Sequence, residues 1–314
     1  MKQFILILIA LCIHHCTFDL ETMANAHLPF KDELLTCYHT IGLHLFHTSF
    51  HDQVILGKHN YLYFKDTVHD YLQDQALSED EIEMIASHVN AIHRYFSQRG
   101  KQFLFVVVPN KNEIDDFMPA RYRKGKQLND AQRILSKLDE GSYLDLFSLF
   151  SSYQTPLYYR YDTHWKRESA RIAYVEIMKQ FHRRYDDFLQ YPFVSTTHEG
   201  DLSRMLFRND PLVEEEYYHD HKEQFQVLTK SHDYAANEIL TYHASQKQTL
   251  VMLRDSFADH LIPYLSEQFQ YAYYTKDYAI DLKSKQVNEA DVIIMEIAQR
   301  NIKEVRKYFQ TIVH

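Results

Sequence analysis

Residues that break, bend or crosslink a chain are scarce in this sequence. Its 314 residues include only 6 glycines, 7 prolines and 3 cysteines. So few glycines and prolines exclude long flexible linkers and low-complexity repeats. The sequence also lacks a glycine-rich phosphate loop, which argues against nucleotide binding. With 45% hydrophobic residues, the chain is long and apolar enough for one large globular domain.

Basic residues are also in deficit. The 34 lysines and arginines are outnumbered by 43 aspartates and glutamates, which gives a net charge of −9. Because no basic cluster overrides this balance, we expect no nucleic-acid partner. The 20 histidines show no close pair with a carboxylate at a spacing typical of metal ligands. We therefore expect no metal site and no cofactor.

The longest apolar run, residues 4–13, lies near the amino terminus behind a single lysine. It is too short for an ordinary membrane span but suits the core of a secretory signal, and a small-x-small cleavage site ends at Ala26. We expect residues 1–26 to be a signal peptide or membrane anchor and residues 27–314 a single domain in the periplasm or at the cell surface. The alternative is a buried first strand or helix. Cleavage would leave Cys37 as the sole cysteine and exclude an intramolecular disulfide.

Downstream, apolar runs and amphipathic segments alternate. Ser78 and Glu81 form a capping box that predicts a helix ending near Gly100. Further helices are expected at residues 128–138 (with Leu128 on the apolar face), 162–181, 258–269 and 301–312. Strands are expected at residues 103–108, 143–147, 249–253, 271–275 and 291–297. Residues 183–248 lose the pattern and are interpreted as an insertion with loops and an edge hairpin. This alternation predicts an α/β fold, a parallel sheet covered on both faces, with an active site at the carboxyl ends of its strands.

Two short motifs suggest the chemistry. Residues 162–165 read Asp-Thr-His-Trp, and residues 254–257 read Arg-Asp-Ser-Phe. A serine nucleophile needs a base to take its proton, and the base needs a partner that fixes its tautomer. Residues two apart in extended backbone project to the same side, so Asp162 can reach the ring of His164. We therefore expect Ser256 to be the nucleophile, His164 the base and Asp162 the orienting acid.

The position of the serine strengthens this hypothesis. Ser256 follows an expected buried strand and precedes an expected helix, so its amide N–H lies at a helix N-terminus, where developing negative charge is stabilised. Such a site indicates a hydrolase or an acyltransferase. The alternatives are that Asp255 only caps the helix and that Trp165, the only tryptophan, fills the core.

Other polar residues at strand ends are candidates for substrate or oxyanion contacts. They are Asn110, Lys111, Arg254, Arg300 and Asn301. Donors at these strand ends, together with tyrosines that stack on sugar faces, could bind a glycan. The alternatives are that Arg300 only pairs with Glu296, four residues away, and that Asn110 closes a turn.

Several landmarks together resemble the alginate O-acetyltransferase family, the AlgX/AlgJ-like group that includes the bacterial DHHW proteins. The landmarks lie at residues 57–63, 107–111, 159–165, 200–202, 254–257 and 296–300. The resemblance implies a three-layer α/β/α, circularly permuted, SGNH-hydrolase-like (flavodoxin-like) domain with the roles already given to Ser256, His164 and Asp162. It also implies export, a polysaccharide acceptor and acetyl delivery by a membrane-bound O-acyltransferase. Arg254 and Tyr61 depart from the glycine and tryptophan that are frequent in the family.

The expected function is therefore an exported serine O-acetyltransferase acting on a surface or secreted polysaccharide. One alternative is an acetylesterase with the same triad, and another is a non-catalytic acetyl-relay or scaffold partner of the membrane acyltransferase. All three residue types of the triad are present, which favours an intact triad over a vestigial one. Whether water or a sugar hydroxyl reaches the acyl-enzyme decides between hydrolysis and transfer.

Overall fold

A seven-stranded sheet lies at the centre of the structure, a computed structural model that describes residues 31–279 and 284–308. The strands in chain order are β1 (Val54–Leu56), β2 (Leu62–Phe64), β3 (Gln102–Val108), β4 (Tyr143–Leu144), β5 (Phe193–Glu199), β6 (Val213–His219), β7 (Gln226–Val227), β8 (Glu238–Tyr242), β9 (Thr249–Leu253), β10 (Tyr271–Thr275) and β11 (Val292–Ala298). The α-helices are α1 (Lys31–Leu45), α2 (Val68–Leu72), α3 (Glu79–Ser97), α4 (Lys111–Ile114), α5 (Asp130–Leu135), α6 (Leu146–Ser151), α7 (Arg167–Gln180), α8 (Asp201–Leu206), α9 (Ile262–Ser266), α10 (Lys285–Glu289) and α11 (Val305–Tyr308). Short 3-10 helices at Ser256–His260 and Gln299–Glu304 follow β9 and β11.

The strand order of the main sheet is β4-β3-β11-β9-β10-β8-β7. The first five strands pair in parallel, and β8 and β7 complete one edge in antiparallel pairing. β3 and β11 are buried almost throughout, as expected for apolar strands covered on both faces. Side chains of α3 and α5 pack on one face of the sheet, and side chains of α7 and α9 pack on the other. The predicted three-layer α/β/α fold is confirmed.

Several elements differ from the predictions at their ends, because capping side chains determine the residue at which a helix begins. α5 begins after a capping box at Asn129, so Leu128 lies outside the helix with 55% of its side-chain surface exposed. The strand predicted at residues 143–147 is only two residues long, because Asp145 caps α6. The helix predicted at residues 258–269 is instead a 3-10 helix that begins at Ser256, followed by α9.

The region interpreted as an insertion, residues 183–248, is more regular than predicted. β5 and β6 pair antiparallel over seven residues as a separate two-stranded sheet, with α8 in the connection between them. β7 and β8 form the predicted edge hairpin and extend the main sheet. The insertion therefore forms both one edge of the main sheet and a second, smaller sheet.

Both ends of the chain include predicted segments that lie outside the described residues. These are the leader at residues 1–26 and residues 309–312 of the predicted final helix. Among the described residues, no helix is both long enough and apolar enough to cross a membrane.

Candidate active site

The turn that carries Ser256 lies at the carboxyl end of β9, beside the carboxyl end of β11. Asp255 fixes this turn, because its two carboxylate oxygens accept hydrogen bonds from the amides of Phe257 (2.9 Å) and Ala298 (2.8 Å). Asp255 is therefore a cap, as the alternative interpretation held, and it also fastens β9 to β11. The Ser256 amide N–H has no acceptor among the described residues. It is thus available to an oxyanion on the serine.

The structure brings the three predicted triad residues into one hydrogen-bonded line. His164 Nε2 lies 2.8 Å from the Ser256 hydroxyl oxygen, and His164 Nδ1 lies 2.6 Å from Asp162 Oδ1. A carboxylate only accepts, so Nδ1 carries the proton and Nε2 is left to receive the one from the serine. Asp162 also accepts a hydrogen bond from the His164 amide at 2.8 Å, which fixes the acid and the base as one unit.

The charges around His164 strengthen it as a base. Burial alone would lower the pKa of His164, but the hydrogen bond to Asp162 and the charges of Asp162 and Asp201 outweigh burial and raise it. Burial alone would raise the pKa of Asp162, yet hydrogen bonds from His164 and His198 hold it well below its ordinary range. Asp162 is therefore ionised at neutral pH, and its charge favours the protonated form of His164.

The second oxygen of Asp162 is held by residues of the insertion. His198 Nε2 donates to Asp162 Oδ2 at 2.8 Å, and the Asp201 amide donates to the same oxygen at 3.0 Å. The His198 ring stacks on Tyr159 with 3.7 Å between ring centroids. Sequence reasoning missed His198, and the landmark at residues 200–202 was the only signal for Asp201.

A close backbone approach brings the insertion to Asp162. A Cβ at Gly200 would lie 1.9 Å from the carbonyl oxygen of Tyr161, a distance that no side chain tolerates. The next residue, Asp201, accepts hydrogen bonds from the amide of Thr163 at 2.8 Å and from its hydroxyl at 2.6 Å. Glycine at position 200 therefore lets α8 begin against the segment that carries the acid and the base.

Trp165 and Lys111 hold the same segment from the core. Trp165 is fully buried, as the core interpretation held, and its indole N–H donates to the Phe257 carbonyl at 2.7 Å. The Lys111 ammonium donates to the carbonyls of Leu62 (2.7 Å), Arg160 (2.9 Å) and Asp162 (3.1 Å). These bonds use all three of its donors. The prediction that Lys111 contacts substrate is therefore wrong, and its role is to fix the backbone of Asp162.

Arg254 is likewise committed to structure. It is fully buried and pairs with Asp259, and it donates to the carbonyls of Tyr234 (2.8 Å) and Ala236 (2.6 Å) in the insertion. The prediction that it contacts substrate or oxyanion is wrong for this reason. Instead, Arg254 ties the insertion to the end of β9.

Asn110 is buried at the start of α4. Its side-chain amide donates to Asp70 at 3.1 Å, and its backbone amide donates to Gln299 Oε1 at 2.9 Å. Its carbonyl accepts the Glu113 amide at 2.9 Å, so the alternative that Asn110 closes a turn is correct. Within the described residues, only one of the two side-chain N–H donors is engaged, so the substrate contact of Asn110 stays a prediction.

Arg300 is the predicted cation that does lie beside the triad. Its guanidinium carbon is 5.1 Å from the ring centroid of Phe257, and its charge acts on His164. No ion pair joins it to Glu296 among the residues that the structure describes, so that alternative is wrong. Glu296 instead accepts the Asp255 amide at 3.0 Å, and burial, with the Asp255 charge, raises its pKa well above the ordinary value. Asn301 reaches Asp255 Oδ2 only at 3.4 Å.

Three acidic and imidazole groups near the serine lie close enough to share a cation. In the described part of the chain, the potential ligand atoms of Asp162, His164 and Asp201 all lie within 4.8 Å of one another. His164 Nδ1 already shares its proton with Asp162, and Asp201 accepts from Thr163. A metal ion would have to displace these hydrogen bonds, so the group fits a hydrogen-bonded acid–imidazole pair better than a metal centre.

The fold and the site define the class of the protein, an SGNH-hydrolase-like α/β protein with Ser, His and Asp hydrogen-bonded at the carboxyl end of a parallel sheet. A family model described as "SGNH hydrolase-like domain, acetyltransferase AlgX" matches residues 54–272. The chain therefore belongs to the ALGX family, and the predicted resemblance is confirmed.

Solved structures show the same fold. A DHHW family protein from Eubacterium siraeum is 14% identical, with a TM-score of 0.60 over 81% of this chain and 94% of that chain. PatB1 from Bacillus cereus is 16% identical, with a TM-score of 0.57 over 78% of this chain and 95% of that chain. A comparison with curated proteins gave no match. At these identities the likeness shows the fold, and the activity is argued from the site.

Proposed function

We propose that the chain is an exported serine O-acetyltransferase that acetylates a surface or secreted polysaccharide through an acetyl group on Ser256. The observation that carries the proposal is the line of hydrogen bonds from Ser256 to His164 (2.8 Å) and from His164 to Asp162 (2.6 Å). Membership of a family described as acetyltransferase supports acetyl transfer as the reaction class.

In the first half of the reaction, His164 Nε2 takes the Ser256 proton as the hydroxyl oxygen attacks the acetyl carbonyl carbon of the donor. Negative charge builds on the carbonyl oxygen, where the unengaged Ser256 amide N–H is positioned to stabilise it. The bond to the leaving group then breaks, and His164 gives its proton to that group. Asp162 keeps its charge throughout.

In the second half, a hydroxyl of the acceptor attacks the acetyl-Ser256 carbonyl, and His164 takes the proton of that hydroxyl. Collapse of the tetrahedral intermediate breaks the bond to Ser256 Oγ, which recovers its proton from His164. The products are an acetylated sugar and free enzyme. Water attacking in place of the sugar would release acetate, so the reaction depends on which acceptor is held in position.

The support of Asp162 favours a working triad over a non-catalytic scaffold. Its carboxylate accepts four hydrogen bonds: two from His164, one from His198 and one from the Asp201 amide. A scaffold has no use for a buried ionised acid fixed so fully, since burying a charge is costly unless it is paired and hydrogen-bonded. The acetylesterase alternative uses the same groups, and the experiment below separates it from transfer.

Export and an acetyl donor in the membrane belong to the same proposal. The apolar run at residues 4–13 and the cleavage site ending at Ala26 favour a location outside the cytoplasm. There, a membrane-bound O-acyltransferase would supply acetyl groups. A reporter that is active only after export, fused after Ala26, should be active; an intact but silent fusion in the cytosol would contradict export.

The test of the reaction measures two products in one tube. Purified protein is given an acetyl ester, with and without glycan, and both acetate release and glycan O-acetylation are followed. We expect the glycan to divert acetyl from water to sugar, and we expect Ser256→Ala to abolish both products. Removal of acetyl from an acetylated glycan, with no transfer from any donor, would make the enzyme an acetylesterase.

A further inference from the structure

A cavity of about 460 Å³ lies where the insertion meets the start of α7 and the helical segments that follow β9. Its core side includes Arg167 at the start of α7 and Asp259 and His260 in the 3-10 helix that begins at Ser256. Its other side is formed by the insertion, from β6 to the segment before β8. This volume is in the range of small-ligand pockets and accommodates a sugar unit.

A series of three side chains connects the cavity with Asp162 of the triad. His260 lines the cavity, and its Nε2 lies 3.4 Å from the hydroxyl of Tyr159. The ring of Tyr159 stacks on His198, which donates to Asp162. Asp259 and His260 also lie three and four residues after Ser256 in one 3-10 helix, a rise of roughly 6–8 Å. A polysaccharide with one unit at Ser256 could therefore reach the cavity with a neighbouring unit.

The lining suits a sugar. Tyr234 is half-buried, and its hydroxyl donates to Glu223 at 2.8 Å, which fixes the ring at the cavity. Tyr234 packs partly against the hydrophobic core, and the part of the side chain that lines the cavity offers an apolar surface to a pyranose. Asp220 and Asp233 add exposed carboxylates that accept hydrogen bonds from sugar hydroxyls.

The charge of the lining is negative. The described residues include no ion-pair partner for Asp220, Glu223 or Asp233, whereas Arg167 is already paired with buried Glu216 at 3.3 Å. Asp259 is neutralised by Arg254 and lies 3.7 Å from Lys276. A carboxylate-bearing sugar would thus meet three carboxylates and one arginine whose charge Glu216 already offsets.

The two most buried histidines of the lining do not change this balance. Burial lowers the pKa of His221, and burial, with the charges of Arg167 and His164, lowers the pKa of His260 to about 3. Both rings are therefore neutral at neutral pH. Like charges at a binding surface reject a ligand more strongly than hydrogen bonds alone can compensate.

We infer that this cavity binds a unit of the acceptor chain next to the acetylated one and selects neutral or amino sugars over uronic acids. The inference rests on the proposed function, whose substrate class it narrows. If the inference holds, a polyuronate is a poor acceptor for this member of the family. The choice of acceptor sugar is then made by residues of the insertion and not by the triad.

Binding without turnover tests the inference. The Ser256→Ala protein is titrated calorimetrically at low salt with three β-1,4-linked oligosaccharides of equal length: N-acetylated chito-oligosaccharide (neutral), its de-N-acetylated form (cationic) and oligomannuronate (anionic). We expect the neutral form to bind about tenfold or more tightly than oligomannuronate, and the cationic form at least as tightly as the neutral one. Equal or tighter binding of oligomannuronate, or no binding of any of the three, would overturn the inference.

Charge-reversing variants test whether the acidic residues of the cavity discriminate between neutral and anionic sugars. Asp220→Lys with Asp233→Lys should reverse the order of neutral and anionic ligands, whereas Glu140→Lys, at an exposed position before β4, should not. Tyr234→Ala should weaken binding of all three ligands about five- to tenfold through lost apolar contact. Circular dichroism and thermal unfolding of each variant check that the fold is kept. An unchanged order in the double variant would overturn the inference.

Different results would contradict the proposed transferase activity and the proposed sugar selection by the cavity. Selective binding without acetyl transfer to any of the three oligosaccharides would count against the proposed transferase and leave the cavity assignment intact. Transfer to all three with equal efficiency, from an enzyme with a working triad, would contradict the cavity assignment alone.

Discussion

The turn after β9 and the insertion at residues 183–248 meet at Asp162 and His164 but are built differently. The turn is fixed to the sheet, because the Asp255 carboxylate accepts hydrogen bonds from the amide of Phe257 in the 3-10 helix and from the amide of Ala298 at the end of β11. The insertion reaches the site through a few long-range contacts, of which those of His198 and Asp201 with Asp162 matter most. The difference indicates that the sheet fixes the chemistry, whereas the insertion tunes the acid and shapes the neighbouring cavity.

The largest expected effect is the loss of turnover when a triad residue is replaced. Ser256→Ala and His164→Ala should each lower turnover of an acetyl ester by several orders of magnitude, and the double variant should be hardly worse, because the residues act as one unit. Asp162→Asn should lower turnover by about 10³- to 10⁴-fold through the wrong tautomer of His164. Steady-state kinetics, with circular dichroism to show an intact fold, measures this, and wild-type turnover in Ser256→Ala would contradict the account.

The next largest effect measures what the insertion contributes to turnover through His198. His198→Phe keeps a ring to stack on Tyr159 but removes the donor to Asp162, a hydrogen bond to a charged group worth about 1.5–3 kcal/mol, so kcat should fall roughly 10- to 100-fold. His198→Gln can still donate and should recover part of the loss.

The pH profile distinguishes a positioning role for His198 from a merely structural one. With its donor gone, Asp162 accepts more strongly from His164, so the pKa of His164 should rise and the acid limb of kcat/KM should move to higher pH. An unchanged acid limb together with an unchanged kcat in His198→Phe would mean that His198 acts only through packing.

In the wild-type enzyme, the acid limb itself reports the pairing of His164 with Asp162. The base must be neutral, and Asp162 and Asp201 raise the pKa of His164 against burial. Activity should therefore rise with pH through a value above the roughly 6.5 of free histidine. Asp162→Asn removes the charge, so the limb of its residual activity should move to lower pH. A flat profile between about pH 5 and 8, with chemistry shown to limit turnover, would argue against this base.

The smallest expected effect concerns Arg300, the predicted cation that remains beside the triad. Arg300→Ala should lower transfer to glycan about tenfold and ester hydrolysis only a few-fold, because a lost hydrogen bond to a positioned acceptor is worth about 1–1.5 kcal/mol. Asn301→Ala serves as the matched control, since within residues 31–279 and 284–308 its side-chain amide contacts Asp255 alone. An equal loss of both activities in Arg300→Ala would place Arg300 in the support of the triad.

Sequence patterns predicted the parts of the molecule that depend on local rules. Apolar runs gave β3, β9 and β11, and the Asp-x-His and Asp-Ser-Phe motifs identified the groups that the structure brings together. Lys111 and Arg254 were misassigned because a buried cation that binds carbonyls has the same sequence signature as one that binds substrate. His198 was missed because its partner lies 36 residues away, and no local pattern encodes such a contact.

The most direct test of the central claim is a chemical trap of the acyl-enzyme. The protein is mixed with an acetyl ester, quenched in acid within the first turnovers, digested and examined by mass spectrometry. We predict an acetyl group on the Ser256 peptide of the wild-type protein, more of it in Asp162→Asn if deacylation slows more than acylation, and none in Ser256→Ala. Full turnover with no acetyl on Ser256, or an acetyl group on another residue that forms and decays at the rate of turnover, would contradict the account.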